Sequence, residues 1–115
     1  MSLDSVAPGS AMVSMTLTET MVNGHAIGHG GYTFTLADSA FAFACNSYNA
    51  NTVANGCTIE FLAPSHEGDV LTAVAHERSL VGRNGVYDVE VRNQAGATIA
   101  HFRGKSTRIK GEVLE

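Results

Sequence analysis

Asn23-Gly24-His25-Ala26-Ile27-Gly28-His29-Gly30-Gly31 runs without a break into residues 32–46, and the reading of this stretch decides the fold. The first part is a polar, glycine-rich loop. The second is the one long helix the sequence offers, predicted over residues 31–45. Tyr32, Phe34, Leu36, Ala37, Ala40, Phe41, Ala42, Phe43, Ala44 and Cys45 ring it with apolar side chains, which predicts burial in the middle of the molecule. Asp38 interrupts the ring, and no basic residue stands one turn away on either side. A carboxylate without a partner in apolar surroundings is costly, so Asp38 is a functional candidate.

On the N-terminal side, Pro8-Gly9 signals a turn, and residues 11–17 alternate as a strand with Met12 or Val13, Met15 and Leu17 on the buried face. Turn formers at 46–51 end the helix, and the helical period never returns. Residues 52–62 read as a strand interrupted at Asn55-Gly56 by a bulge. Residues 69–80 alternate Leu71, Ala73 and Ala75 against Val70, Thr72, Val74 and His76. Residues 86–93 set Tyr87, Val89 and Val91 against Val86, Asp88, Glu90 and Arg92, after a hairpin turn at Gly82-Arg83-Asn84-Gly85, whose Asn-Gly pair favours positive φ. Residues 97–109 make the last strand. The expected architecture is α+β: a strand, the helix, then four strands in a meander, with one antiparallel sheet wrapped around one central helix. The sheet covers the helix on one side only, so a second copy of the chain is expected to cover the other.

The 115 residues suit one domain over 1–115, and 44% hydrophobic against 16% charged residues indicates a globular chain. A formal charge of -4 argues against nucleic acid or an anionic membrane as the main partner. No apolar run is long enough to span a bilayer. Cys45 and Cys57 form neither a disulfide framework nor a zinc pattern, which points to the reducing cytoplasm.

Gly30-Gly31 stands where the helix begins. Absent side chains let a ligand approach the unpaired N–H groups of the first turn, where the helix dipole also favours negative charge. Such a place can stabilise the oxyanion of a carbonyl under attack, or it can be only a tight entry into a helix. Eight residues separate Gly30 from Asp38, which is ~12 Å along one helix. The two cannot serve one substrate carbon from the same chain. If they act together, two antiparallel helices related by a two-fold axis must bring them together.

Three runs are recognisable in combination: Asn23-Gly24-His25, His29-Gly30-Gly31 and Leu36-Ala37-Asp38-Ser39-Ala40-Phe41-Ala42. With Cys57-Thr58-Ile59-Glu60-Phe61-Leu62-Ala63-Pro64, Gly68-Asp69, Gly85-Val86-Tyr87-Asp88-Val89 and Phe102-Arg103-Gly104-Lys105-Ser106, they resemble the hot-dog fold thioesterases, and within them the phenylacetate-degradation (PaaI) type, over about residues 6–109. The resemblance implies hydrolysis of acyl-coenzyme A thioesters of the aryl-acetyl kind, phenylacetyl-CoA or hydroxyphenylacetyl-CoA. It implies no metal and no other cofactor, coenzyme A being part of the substrate. It assigns Asp38 as nucleophile or general base and the Gly30 N–H as the group that polarises the carbonyl. Asn23 and His29 take the positions that orient water or thioester and hold the loop. It further implies a homodimer with shared active sites, paired into a dimer of dimers. Relatives often carry a short N-terminal helix, expected to be missing or truncated in this chain. Some place Ser or Thr on the strand after the helix, where Asn55 or Thr52 stands here.

Arg83-Asn84-Gly85 and Arg103-Gly104-Lys105 are the main basic clusters. With Gly31 and Asn55 they are expected to hold the coenzyme A moiety, the alternative being an ordinary turn and strand edge. His25 and His29 are four apart, but the glycines around them disfavour a shared metal. His66, His76 and His101 read as surface or sheet residues. Cys45 and Cys57 read as packing residues rather than nucleophiles. Tyr32, Phe34 and Phe41 read as core, whereas Tyr48 and Phe61 stay open between core and substrate pocket. A hot-dog hydratase or dehydratase and a non-catalytic acyl-CoA binding module are the other function classes.

Overall fold

The computed structural model describes residues 1–21 and 30–109. Its elements are β1 (Ser2–Ala7), β2 (Ser10–Thr16), a single 3-10 turn (Glu19–Met21), α1 (Gly30–Cys45), β3 (Thr52–Phe61), β4 (Val70–Val81), β5 (Asn84–Arg92) and β6 (Thr98–Arg108). The six strands form one sheet in the order β1-β2-β4-β5-β6-β3, antiparallel throughout. It packs one face on α1.

The strand alternation falls as the sequence predicts. Ala11, Val13, Met15 and Leu17 face the helix, as do Leu71, Ala73 and Ala75, Tyr87, Val89 and Val91, and Ala100 and Phe102. The buried residues of α1 are Thr33, Leu36, Ala37, Ala40, Phe41, Ala44 and Cys45, spaced by alternating steps of three and one. The alanines let the helix lie close to the sheet, and Phe41 fills the space that remains. Its ring sits 5.7 Å from those of Tyr87 and Phe102, over Gly104, where a Cβ would come within 2.7 Å of the ring. Asn46 ends the helix: its Nδ2 donates to the Ala42 carbonyl at 2.9 Å, and its Oδ1 accepts the Thr52 N–H at 2.9 Å, which ties α1 to β3.

Three expectations are corrected. The segment before Pro8-Gly9 is a strand, β1, and not only a turn; all six of its residues are exposed, so it carries no alternation to read. The meander holds only for β4, β5 and β6, because β3 lies beyond β6 at the sheet's edge. The hairpin turn is Gly82-Arg83, with Val81 opposite Asn84; Gly82 has φ 60°, as the first position of a type II′ turn requires. Asn84-Gly85 lies inside β5. As the one-sided sheet implied, α1 is not covered all round within one chain. Tyr32, Thr35, Ala42 and Phe43 form an exposed stripe along it, with Asp38 and Ser39 half-exposed between them. The bulge expected at Asn55 is present, between Ala54 and Gly56 in the β3–β6 register.

Candidate active site

The chain must cross the end of the sheet to pass from β3 at one edge to β4 near the middle. It does so beside the start of α1. Leu62 and Ala63 both donate their N–H groups to the Ile99 carbonyl, at 2.8 and 3.3 Å, and Gly68 donates to Leu17 at 2.8 Å. Asp69 ties the far end of the crossing: its Oδ2 accepts the His66 N–H and its Oδ1 the Gln94 side chain, each at 2.8 Å. The Gln94 hydrogen bond first, then the His66 N–H, holds the Asp69 carboxyl below its ordinary value.

Between this crossing and α1 lies a cavity of about 370 Å³, lined by Gly30, Thr33, Phe61, Leu62, Ala63, Pro64, Ser65 and Ile99. Gly30 is the first residue of α1. The Phe61 ring lies against it; a Cβ there would sit 3.2 Å from the ring. The N–H groups of a helix's first turn have no intrahelical partner, so the cavity meets a place that suits an oxyanion. Gly31, the next residue, is exposed, and its carbonyl accepts the Thr35 hydroxyl at 2.8 Å. Asn23, His25 and His29 lie outside the described residues.

Asp38 sits two turns further along α1, on the exposed stripe. It has no ion-pair or side-chain hydrogen-bond partner among the described residues of its own chain, as the absence of neighbouring basic residues foretold. Ser39 donates instead to the Thr35 carbonyl at 2.8 Å, so no Ser–Asp couple forms. Cys45, one face-repeat below Asp38, is buried, and that burial pushes its thiol up to about 11, with the Asp38 charge adding to the effect. Cys45 is therefore a packing residue. Cys57 is exposed on β3, contrary to its expected packing role, because edge strand β3 has no cover within the chain.

The expected coenzyme A residues do not form one group. Arg103 donates from Nε and Nη2 to Asp88 at 2.6 and 2.8 Å, and Arg78 adds a third donor to the same carboxylate at 3.0 Å. Gly85 turns its Cα to the core, where a Cβ would stand 2.9 Å from Ser106 Oγ and Tyr87 Cε1. Arg103 is thus engaged by its own sheet, and Gly85 packs its Cα against the core. Arg83 and Asn84 remain exposed at the β4–β5 turn, Lys105 lies over Gly56, and Asn55 is exposed at the bulge. A second cavity, about 400 Å³, lies on the sheet face away from α1 among Glu60, His76, Asp88, Glu90 and His101. Among the described residues no group of three or more His, Cys, Asp or Glu is arranged to hold a metal.

Sequence reasoning missed Thr33 and Ser65. Ser65 follows Pro64 in what reads as a plain connection, and only the crossing past α1 makes it part of a wall. Phe61, left open between two roles, proves to be the side chain that touches Gly30.

Residues 25–100, more than half of the chain, match the thioesterase superfamily. The chain is 52% identical over 109 residues to the acyl-coenzyme A thioesterase PaaI of Escherichia coli K12, covering 95% of this chain and 78% of that protein. The solved structure of E. coli PaaI, from the phenylacetic acid degradation operon, superposes with a TM-score of 0.89 at 53% identity, covering 91% of this chain and 76% of that one. A Streptococcus mutans protein solved with acetyl CoA bound shares the fold at 24% identity, with a TM-score of 0.89 over 96% of this chain and 89% of its own. The chain belongs to the thioesterase superfamily and is a thioester hydrolase of the hot-dog fold.

Proposed function

We propose that this enzyme hydrolyses aryl-acetyl thioesters of coenzyme A, phenylacetyl-CoA or hydroxyphenylacetyl-CoA, at a site that two copies of the chain build together. The observation that supports it best is the placement of Asp38. It stands on the open stripe of α1 with no ion-pair partner among the described residues, too far along the helix from its own Gly30 to share a substrate carbon with it. Two features favour a second copy beside it. β3 is a ten-residue edge strand, and edges offer unpaired N–H and C=O groups to another chain. The stripe with Tyr32, Ala42 and Phe43 runs along the same side of the molecule's open helix face, and antiparallel helices would exchange their ends.

In such a dimer the Gly30 N–H donates to the thioester oxygen as charge develops on it. Asp38 of the other copy attacks the carbonyl carbon, or takes the proton from an attacking water. Collapse of the tetrahedral intermediate expels coenzyme A as its thiolate, which gains a proton. Where water attacked, this leaves the free acid; where Asp38 attacked, it leaves an Asp38–acyl anhydride that water then hydrolyses to the free acid and the restored carboxylate. Asn23 and His29 orient the water or thioester. Gly31, Asn55, Arg83, Asn84 and Lys105 hold coenzyme A. The acyl-coenzyme A thioesterase activity of the E. coli relative and the acetyl CoA bound by the S. mutans protein support the substrate class. The reaction so written needs no cofactor. Pairs of dimers and a cytoplasmic location belong to the same reading; no α-helix among the described residues is long and apolar enough to cross a membrane.

Thiol release across a panel of acyl-CoA substrates tests it. Asp38→Asn and Asp38→Ala are expected to lower kcat at least ~10²-fold, and unchanged hydrolysis in both would remove Asp38 from the mechanism. Oxygen-18 from labelled water trapped in Asp38 during a single turnover identifies it as the nucleophile.

A further inference from the structure

The basic residues of this acidic chain divide into two groups. Arg78 and Arg103 hold Asp88, and Arg92 holds Glu90. Among the described residues no ion pair engages Arg83, Lys105 or Arg108, and these stand toward one end of the sheet. Arg108 lies opposite Thr52, whose N–H donates to Asn46 at the C-terminal end of α1. The Arg108 N–H donates to the Arg83 carbonyl at 2.8 Å, which sets the two arginines side by side. Next to them is an aromatic ring, Tyr48, in the turn that ends α1. The Arg108 guanidinium carbon lies 5.7 Å from the ring centroid, and Tyr48 is 38% exposed. The ring is held by its hydroxyl, which donates to the Glu77 carboxylate, 3.1 Å from either oxygen. Gly9 leaves room for that hydroxyl: a Cβ there would come within 2.8 Å of it. Glu77 is in turn engaged by the Tyr87 hydroxyl at 3.2 Å. A ring fixed at its polar end and open along its face, beside a guanidinium that no carboxylate neutralises, suits a flat base that carries phosphate.

We propose that Tyr48 and Arg108 read the nucleotide end of coenzyme A, the adenine stacking on Tyr48 and a phosphate meeting Arg108 beside Arg83. The proposal rests on the shared site of the proposed function. It adds how the enzyme tells a coenzyme A thioester from a thioester that lacks the nucleotide. Geometry sets the direction. In an antiparallel pair the other copy's α1 begins at its Gly30, abreast of Asp38, so the second half of the Asp38-bearing helix runs on past it. From Asp38 to Asn46 is eight residues, ~12 Å along the axis. A thioester held between Asp38 and the other copy's Gly30 therefore sends its pantetheine arm along exposed Ala42 toward Tyr48. The C-terminal end of a helix by itself disfavours an anion, so a phosphate arriving there depends on Arg108 and Arg83.

The test compares kcat/KM for phenylacetyl-CoA with that for the phenylacetyl thioester of N-acetylcysteamine, which keeps the reacting end and lacks the nucleotide, in the full-length chain. Wild type is expected to favour the coenzyme A thioester at least ~10²-fold. Arg108→Gln and Tyr48→Ala are each expected to cut that preference about tenfold, through KM for phenylacetyl-CoA and not through kcat. That is the effect of one lost charge-assisted hydrogen bond or one lost base stack. Tyr48→Phe, which keeps the ring, is expected to retain most of the preference. Adenosine 3′,5′-bisphosphate is expected to inhibit wild type competitively, and Arg108→Gln about tenfold more weakly. A purely structural Tyr48–Arg108 contact would lower the rates on both thioesters together and leave their ratio alone. An unchanged ratio in folded Arg108→Gln and folded Tyr48→Ala overturns this inference and spares the proposed function. So does a wild type that takes both thioesters equally well. Wild type that releases no thiol from phenylacetyl-CoA overturns both.

Discussion

Two residues show how local chemistry sets the properties of this sheet. Gly104 stands under Phe41, with ring atoms 2.7–2.8 Å from where a Cβ would be. Gly104→Ala is expected to cost about 1–3 kcal/mol, the range for overpacking a filled core. Urea titration measures it, and adding Phe41→Leu should recover part of the loss; a stability equal to wild type would mean the ring moves aside freely. Asp88 binds two arginines, and the Arg103 hydrogen bonds first, then Arg78, hold its carboxyl below the ordinary value against the opposing effect of burial. A depressed folded-state value means stability that is present above the unfolded value near ~3.9 and lost as pH falls through the folded one. Asp88→Asn should therefore melt a few degrees lower at neutral pH and lose less on acidification. Parallel melting curves for both proteins from pH 7 to pH 3 would contradict this.

At the scale of elements, α1 and the crossing after β3 carry the site. One face of α1 is filled by small residues and Phe41 and cannot be read apart from the sheet beneath it. The other holds Asp38 among Thr35, Ser39, Ala42 and Phe43. Phe43 is 44% exposed in the single chain, so a charge there costs the fold little. If a second copy covers this stripe, Phe43→Asp should weaken self-association while leaving the far-ultraviolet circular dichroism unchanged. Light scattering against concentration reads the outcome, and an unaltered mass would show that the stripe is not the contact. The crossing is a different kind of element. Its hydrogen bonds to Ile99 and Leu17 hold Phe61 against Gly30 and Ser65 in the wall of the same cavity.

For the whole molecule, the proposed function makes catalysis a property of two chains rather than one. Asp38→Ala chains mixed with chains blocked at Gly30 are expected to regain activity in hybrid dimers, because each hybrid holds one complete site. About a quarter of wild-type activity is the scale to expect from random exchange with one intact site in half the molecules. No recovery after confirmed subunit exchange would place both groups in the same chain's site.

Much of this was legible in the chain itself, because it rests on local periodicity. The alternation of β2, β4 and β5, the span of α1, the bulge at Asn55 and the odd carboxylate at Asp38 all follow from residue order. So did the argument that Gly30 and Asp38 are too far apart to serve one carbon, since the helical rise is fixed. What lay beyond it depends on how elements pass one another. β1 has no buried face to alternate, and the place of β3 beyond β6 is set by the curl of the sheet around α1. Only the crossing after β3 brings Phe61 against Gly30 and Ser65 into the same cavity wall, and only the β5–β6 register sets Arg103 opposite Asp88 and Gly85 opposite Ser106. Local pattern follows from backbone geometry, whereas these contacts join residues that nothing in the sequence places together.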